Sequence, residues 1–382
     1  MTSHSRKPSA VDPPAANPLI LSVYAHDIHA HAVRWGLRRN GYAPVWAHSL
    51  ADEALTPASL EFDDQGGVAA FGALSPGAVS SVWFRRPRFP EHFPRTQESD
   101  LPFVRNEWKR FLLNAYAVAD ALAGTFWVNR PNAAVEAENK LVQMRAAQRC
   151  GLTFPRTLVS SDPAQIRRFV ADNGQVVYKP FQTHTWQDAE GRMYSTYART
   201  IDAAMLEDED SLRQCPGIYQ ALVPKTHDVR VTVVGGRFLA ARLEGGGDAT
   251  FVDWRASSIG NRVSSSATTL PAALEAKISA LMRELGIVFG CVDLAIDAEG
   301  RAHFLEVNQS GQFLFLEHSV PELPILQAVC AMLGQARADY AIEAIQGVSY
   351  ADYLASDEHR EWWDAVSGDI RQDGNIPGVS LE

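Results

Sequence analysis

The chain has 382 residues, more than one ordinary core accommodates, so its length points to two or three domains. Lys and Arg total 35 against 45 Asp and Glu, a formal charge of −10 that argues against sequence-independent nucleic-acid binding and offers no pull towards an anionic membrane. At 46% hydrophobic the chain can bury a sizeable core, yet no run approaches the ~20 apolar residues of a membrane span.

Residues 1–17, rich in Pro, Ala and Ser, read as a flexible arm. Ser5-Arg6-Lys7 is not followed by the apolar core of a signal peptide, and Cys150, Cys215, Cys291 and Cys330 lack CxxC spacing. A reduced, cytoplasmic setting is the expectation. Pro18–Tyr24 has strand character, Ile28, Val33, Trp35 and Leu37 mark a helix closed by Gly41, and Tyr42–His48 reads as a second strand. With Val79–Arg85 as another strand, these elements predict a small α/β domain over 18–131. An amphipathic helix is expected over Asn106–Ala123 and a second over about Val135–Cys150, ending at Gly151. Strands Arg156–Val159 and Gly174–Pro180 flank a helix over Asp162–Asn173, within a central lobe expected to span 132–222. From Asp228 strands dominate: Val229–Val234, Arg237–Leu243, Ile287–Ile296 and Ala302–Val307, with helices at Leu270–Leu285 and Pro324–Gly334. That region, 223–340, reads as a further lobe, and 341–382 as a tail in which Trp362-Trp363 packs against the body.

The densest chemistry lies in Gly290–Ile296 and His303–Asn308, joined by Asp297-Ala298-Glu299-Gly300 as a β-hairpin. A turn centred on Ala298-Glu299 puts Asp293 opposite Phe304 and diagonal to Glu306. Side chains alternate, so Asp293, Glu306 and Asn308 share one face and form an oxygen-donor set suited to a hard cation such as Mg²⁺. A solvated polar stripe is the plainer explanation. Against it stand two upstream lysines: Lys179, ending the apolar run Val176-Val177-Tyr178, and Lys140, opening a helix whose free N–H groups favour anions.

Lys140, Lys179, Ile218–Pro224, Asp228-Val229-Arg230 and Asp293…Glu306-Val307-Asn308 follow one another in the order and approximate spacing of the ATP-grasp superfamily, which the chain thus resembles from about residue 18 to 340. Val233-Val234-Gly235-Gly236 and Asp253-Trp254-Arg255 are similar to the RimK-type branch. Trp83–Pro87, Asn139-Lys140-Leu141 and Gly311–Glu317 look most like the graspetide, or microviridin-type, peptide maturases. The resemblance implies a three-lobed α/β and α+β ATP-grasp fold with an N-terminal pre-ATP-grasp domain, and a cleft that grips ATP. Lys140 and Lys179 would hold phosphates, Gln220, Ala221, Leu222 and Val223 the base, and Asp228 would join this nucleotide set. Asp293, Glu306 and Asn308 would bind two Mg²⁺ ions, with Arg230 and Arg255 stabilising the transferring phosphoryl group. Arg85, Arg86 and Asp253 would contact the substrate, a ribosomal precursor peptide with a leader and an acidic core. A homodimer is an arrangement the resemblance leaves open.

Three positions depart from the pattern. Ala221 stands where many relatives have Glu, Cys291 where many have Arg, and Phe181–Tyr197 replaces a Gly-rich phosphate lid. Arg85, Arg86, Arg88 and Arg95 form a local basic cluster that could hold carboxylates or simply be solvated. His26, His29 and His31 suggest a metal at first sight, but only 26 and 29 share a helix face, which favours a structural role. Two further readings stay open: a RimK-like ligase adding an amino acid to an acceptor, and a catalytically silent module that only binds nucleotide or peptide.

Overall fold

The structure, a computed structural model, describes residues 17–22, 27–47, 59–61, 64, 79–87, 89–90, 93–119, 124–181, 185–188, 192–195, 198–245 and 263–373. Residues 1–16 of the expected arm, His26, Arg88, the Asp253-Trp254-Arg255 motif and residues 374–382 lie outside them. Two compact units divide the chain: Met1–Asn132 with Leu326–His359, and Ala133–Ile325 with Arg360–Glu382.

The first unit holds a parallel sheet of β1 (Asn17–Ser22), β2 (Val45–Ala47), β3 (Val79–Arg85) and β4 (Phe126–Val128), in the order β2-β1-β3-β4. All seven residues of β3 are buried, as a strand covered on both faces requires. Asp27 caps the helix Ile28–Arg39 by accepting from the N–H groups of His29 and Ala30, and the helix buries Ala30, Val33, Trp35 and Leu37. A second layer comes from far along the chain. In the helix Ile325–Gln335, Leu326 and the run Ala328–Leu333 have no exposed surface. Ser81 Oγ donates to the Leu333 carbonyl at 2.8 Å, fixing that helix against β3. Gly36 is needed at its crossing with Ile28–Arg39, because a Cβ there would stand 2.7 Å from Cys330 Sγ.

Among its described residues the second unit contains two larger antiparallel sheets and a two-stranded one. The first is β5 (Thr157–Ser160), β6 (Val176–Lys179), β9 (Arg199–Thr200) and β10 (Gly217–Ala221), ordered β5-β10-β6-β9; β7 (Thr185–Gln187) pairs with β8 (Met193–Ser195) separately. One face of this sheet packs Val176 and Tyr219 on Ile166, Phe169 and Val170 of the helix Pro163–Asn173. The second sheet is β11 (Lys225–Val234), β12 (Arg237–Gly245), β13 (Val263–Thr268), β14 (Phe289–Asp297) and β15 (Ala302–Asn308), ordered β13-β12-β11-β14-β15. Its apolar face, with Val229, Val231, Val292, Leu294, Phe304 and Val307, packs on Ile278, Leu281 and Met282 of the helix Ala272–Glu284 and on Ala146 and Ala147. Arg230, Asp293 and Glu306 lie on the opposite face.

Two expectations need correction. The single helix over 135–150 is two, Pro131–Ala137 and Lys140–Arg149, because Asn139 leaves the helical conformation and caps the second by accepting from the N–H groups of Leu141 and Val142. In the hairpin, Asp293 lies opposite Glu306, not Phe304. The turn is longer than expected, with Gly300 at φ +76°, so the strands next to it pair Ile296 with Ala302 and Leu294 with Phe304. A bulge then intervenes before Asp293 meets Glu306. Either one-residue slip alone would have turned Glu306 to the other face; the two together restore it to the face of Asp293.

Candidate active site

Across β11, β14 and β15 runs a row of three charged residues, Arg230 paired with Asp293 and Asp293 with Glu306. Directly opposed residues of an antiparallel pair share a face, so register alone brings these side chains together. Arg230 Nη1 donates to both Asp293 carboxylate oxygens, at 2.8 and 2.9 Å. Its Nη2 donates to the Gln312 carbonyl at 3.2 Å, and the Phe315 ring lies 5.9 Å away. The Arg230 and Asp293 side chains are only 3% and 7% exposed, so each depends on the other for compensation of its charge. At the edge of the row Lys140 Nζ donates to Glu306 Oε2 at 3.0 Å, in a more open setting.

Asn308 pairs with Cys291 one step beyond the row, and its Oδ1 accepts from the Ser310 N–H at 3.0 Å. Among the described residues no three His, Cys, Asp or Glu side chains gather closely enough to hold a metal by themselves. The set here is two carboxylates and one amide oxygen. Such hard donors fit Mg²⁺, which takes few protein ligands and fills its remaining positions with water or phosphate oxygens. The Cys291 position is tightly packed: a Cβ on Gly311 would come within 2.5 Å of its sulfur.

In the first sheet of this unit, Lys179 Nζ donates to Gln220 Oε1 at 2.6 Å, and Gln220 Nε2 donates to Thr157 Oγ1 at 3.0 Å. The next residues of the chain form its strap to β11. There the Ala221 N–H donates to Arg156 O and the Leu222 N–H to Gln175 O, both at 2.9 Å. Ala221–Pro224 line a cavity of about 440 Å³ together with Thr153–Arg156, Asp297–Glu299, Arg301 and His303. The Asp297 carboxyl is held well below the usual carboxylate range by its hydrogen bond from His303, with Arg301 adding to the effect. Asp228 forms a buried ion pair with Lys225 at 2.6 Å.

Among the expected substrate contacts, Arg85 is buried: its Nε donates to Asp27 Oδ2 at 3.0 Å and its guanidinium lies 5.1 Å from the Trp83 ring centroid. Arg86 is exposed, at φ +52°. Nearby His29 is also buried, and that burial, with Arg85 and Arg86, holds it well below the usual histidine range. Asp253 and Arg255 are outside the described residues. One residue that sequence reasoning missed is Gln143, whose buried carboxamide bonds to both peptide groups of Val307. The only sequence signal for it is its spacing, one helical turn after Lys140.

In the second unit one antiparallel sheet carries the carboxylate hairpin, with Lys140 on Glu306, and another carries Lys179 on Gln220. No protein-family model matches the sequence, and no curated protein matches it. Solved structures do. A Chryseobacterium gregarium RiPP-associated ATP-grasp ligase, in complex with ADP and a leader and core peptide, superposes with a TM-score of 0.70 at 22% identity, over 83% of this chain and 96% of that one. Macrocyclase MdnC of Microcystis aeruginosa MRC, bound with precursor peptide MdnA, gives 0.69 at 23% identity over 83% and 99%. Macrocyclase MdnB from the same organism gives 0.64 at 27% identity over 83% and 99%. The chain has the ATP-grasp fold. Among its described residues no helix is long and apolar enough to cross a membrane.

Proposed function

We propose that the chain is an ATP-dependent ligase that forms ester or amide crosslinks between side chains of a ribosomal precursor peptide. The observation that carries the reading is the row Arg230–Asp293–Glu306 with Lys140 at its end, on a fold superposing on peptide macrocyclases over most of its length.

In this reading Asp293, Glu306 and Asn308 hold Mg²⁺, which when bound offsets the charge of the nucleotide phosphates. Lys140 and Lys179 bind phosphate oxygens, exchanging their present partners Glu306 and Gln220 for them. Gln220 to Val223 receive the base, and Asp228, through Lys225, orders the start of β11. Arg230 holds the Asp293 carboxylate in place and lends positive charge to the transferring phosphoryl group; Arg255 is its expected companion. A side-chain carboxylate oxygen of the peptide attacks the γ-phosphorus and the bond to the leaving ADP oxygen breaks, giving an acyl phosphate. A hydroxyl or amine of the same peptide then attacks the acyl carbon, loses its proton, and phosphate departs. No protein nucleophile is needed.

The substrate is a peptide with a leader and an acidic core. Exposed Arg86 and the expected contact Asp253 belong to its binding surface, while Arg85 acts on it through the Asp27 pair that orders the helix start. The same reading divides the chain into lobes at 18–131, 132–222 and 223–340, places the enzyme in the cytoplasm and allows a homodimer, which sedimentation would decide.

The test is incubation with ATP, Mg²⁺ and the peptide encoded by a short neighbouring reading frame, followed by mass spectrometry. Loss of one water per link and matching ADP release are expected. An unchanged peptide beside robust ligation of a free amino acid would overturn the reading in favour of a RimK-like activity.

A further inference from the structure

β15 is the edge strand of its sheet, so among the described residues the outward peptide groups of Val307 have no neighbouring strand to pair with. Gln143 takes the place of one. Its Nε2 donates to Val307 O at 2.8 Å and its Oε1 accepts from Val307 N at 2.9 Å, the two-bond exchange a paired strand would supply. The remaining Nε2 hydrogen goes to Ala137 O at 2.6 Å, the last residue of the helix Pro131–Ala137. Both donors and the acceptor are thereby engaged on a residue only 4% exposed.

The location gives this arrangement its meaning. Val307 lies between Glu306 and Asn308, and Lys140 precedes Gln143 by one helical turn, with its ammonium on Glu306. We infer that Gln143 is a positioning residue for the nucleotide–metal site: its carboxamide locks the backbone between Glu306 and Asn308 to the helix that carries Lys140. The inference rests on the reading of those three residues as metal and phosphate contacts, although its structural half can be tested without nucleotide.

Gln143→Glu keeps the shape but sets a carboxylate against two carbonyl oxygens, Val307 O and Ala137 O. That carboxyl will titrate above the usual carboxylate range, since burial and the two carbonyls both disfavour its charge. Ionised, it still accepts from the Val307 N–H but repels the two carbonyls and strains that contact; protonated, it regains one donor. Hydrogen exchange on the nucleotide-free variant should therefore show the Val307 amide exchanging about tenfold faster at neutral pH, after correction for the intrinsic rate, and recovering protection as pH falls. KM for Mg·ATP should rise about tenfold or more at neutral pH and recover in parallel, with KM for the peptide little changed. Ile278→Val, a loss of one methylene from the same core, should lower Tm without moving KM for Mg·ATP. Should Gln143→Glu fail to fold, Gln143→Met removes the bonds without adding charge and should give the faster exchange at every pH.

Unchanged Val307 exchange in both variants would overturn the lock. Faster exchange with an unaltered KM for Mg·ATP would overturn its link to the site. A wild-type protein that does not bind Mg·ATP would instead sink the ligase reading, leaving the exchange result to decide the lock alone.

Discussion

The parallel sheet of the first unit and the five-stranded antiparallel sheet of the second treat charge in opposite ways. β3 is buried along its whole length and carries its one charged residue, Arg85, at its C-terminal end. β11, β14 and β15 carry Arg230, Asp293 and Glu306 mid-strand, fixed by register to one face. A sheet covered on both faces leaves charged groups only the strand ends, where loops set their positions. A sheet with one apolar face can place a charge in its middle and hold it from both sides. The second arrangement gives tighter geometry, and it makes each charge dependent on the next.

That dependence should be most visible on removing Arg230. Arg230→Ala leaves Asp293 buried without its guanidinium, and a loss of about 3–5 kcal/mol is expected in urea unfolding. A loss under about 1 kcal/mol would mean that water reaches the row. Glu306→Gln should cost less stability, since Glu306 and Lys140 are partly exposed, but should lower kcat/KM more than about 100-fold, beyond the loss usual for an outer-sphere partner. Near-normal turnover there would refute the placement of the metal site. In the first unit the sensitive feature is packing. Gly36→Ala drives a methyl against Cys330 and Val348, and should cost about 1–3 kcal/mol in thermal unfolding with little change in KM.

The smallest effect separates the units by pH. His31 shares a 2.9 Å hydrogen bond with Tyr353, and burial, helped by Arg34, His359 and Arg38, pulls its pKa down to about 4. A histidine whose folded pKa is depressed binds its proton more tightly when unfolded. Its contribution is therefore complete above about pH 6.5 and is lost as pH falls towards 4, at up to about 1.4 kcal/mol per pH unit. His31→Gln should flatten that slope in denaturation of the intact protein; an unchanged slope would assign the acid loss elsewhere.

Much of the second unit was legible because local rules and tertiary packing agree there. Alternation over Val229–Val233 and the Asp293…Glu306 spacing located the hairpin and its charged face. The register was not legible. Phe304 and Val307 both face the core although they are three apart, an odd spacing that only a bulge permits, and two compensating slips left the simple alternation looking correct. The break at Asn139 was hidden because Ala137 and Leu141, on either side of it, keep helical i,i+4 spacing, and the side chain that caps the next helix is also compatible with a helix interior. Gln143 was invisible for a different reason: its role depends on an edge strand more than 160 positions away. Arg85 reads as a solvated strand end until Asp27 is known to lie beside it.

The buried helix Ile325–Gln335 belongs, from Leu326 on, with strands made near the start of the chain. On the ribosome β1 and β3 emerge long before the helix that covers them, and at ~5–20 residues per second the interval from the end of β3 to Ile325 is roughly 12–48 s. Residues 133–325 are synthesised during that interval and can form their own sheets first. The first unit is thus completed only once Leu326–His359 have been made. A chain that stalls before Leu326 would present the buried run of β3 to chaperones and proteases, which makes synthesis of Leu326–His359 a checkpoint on the fold of that sheet.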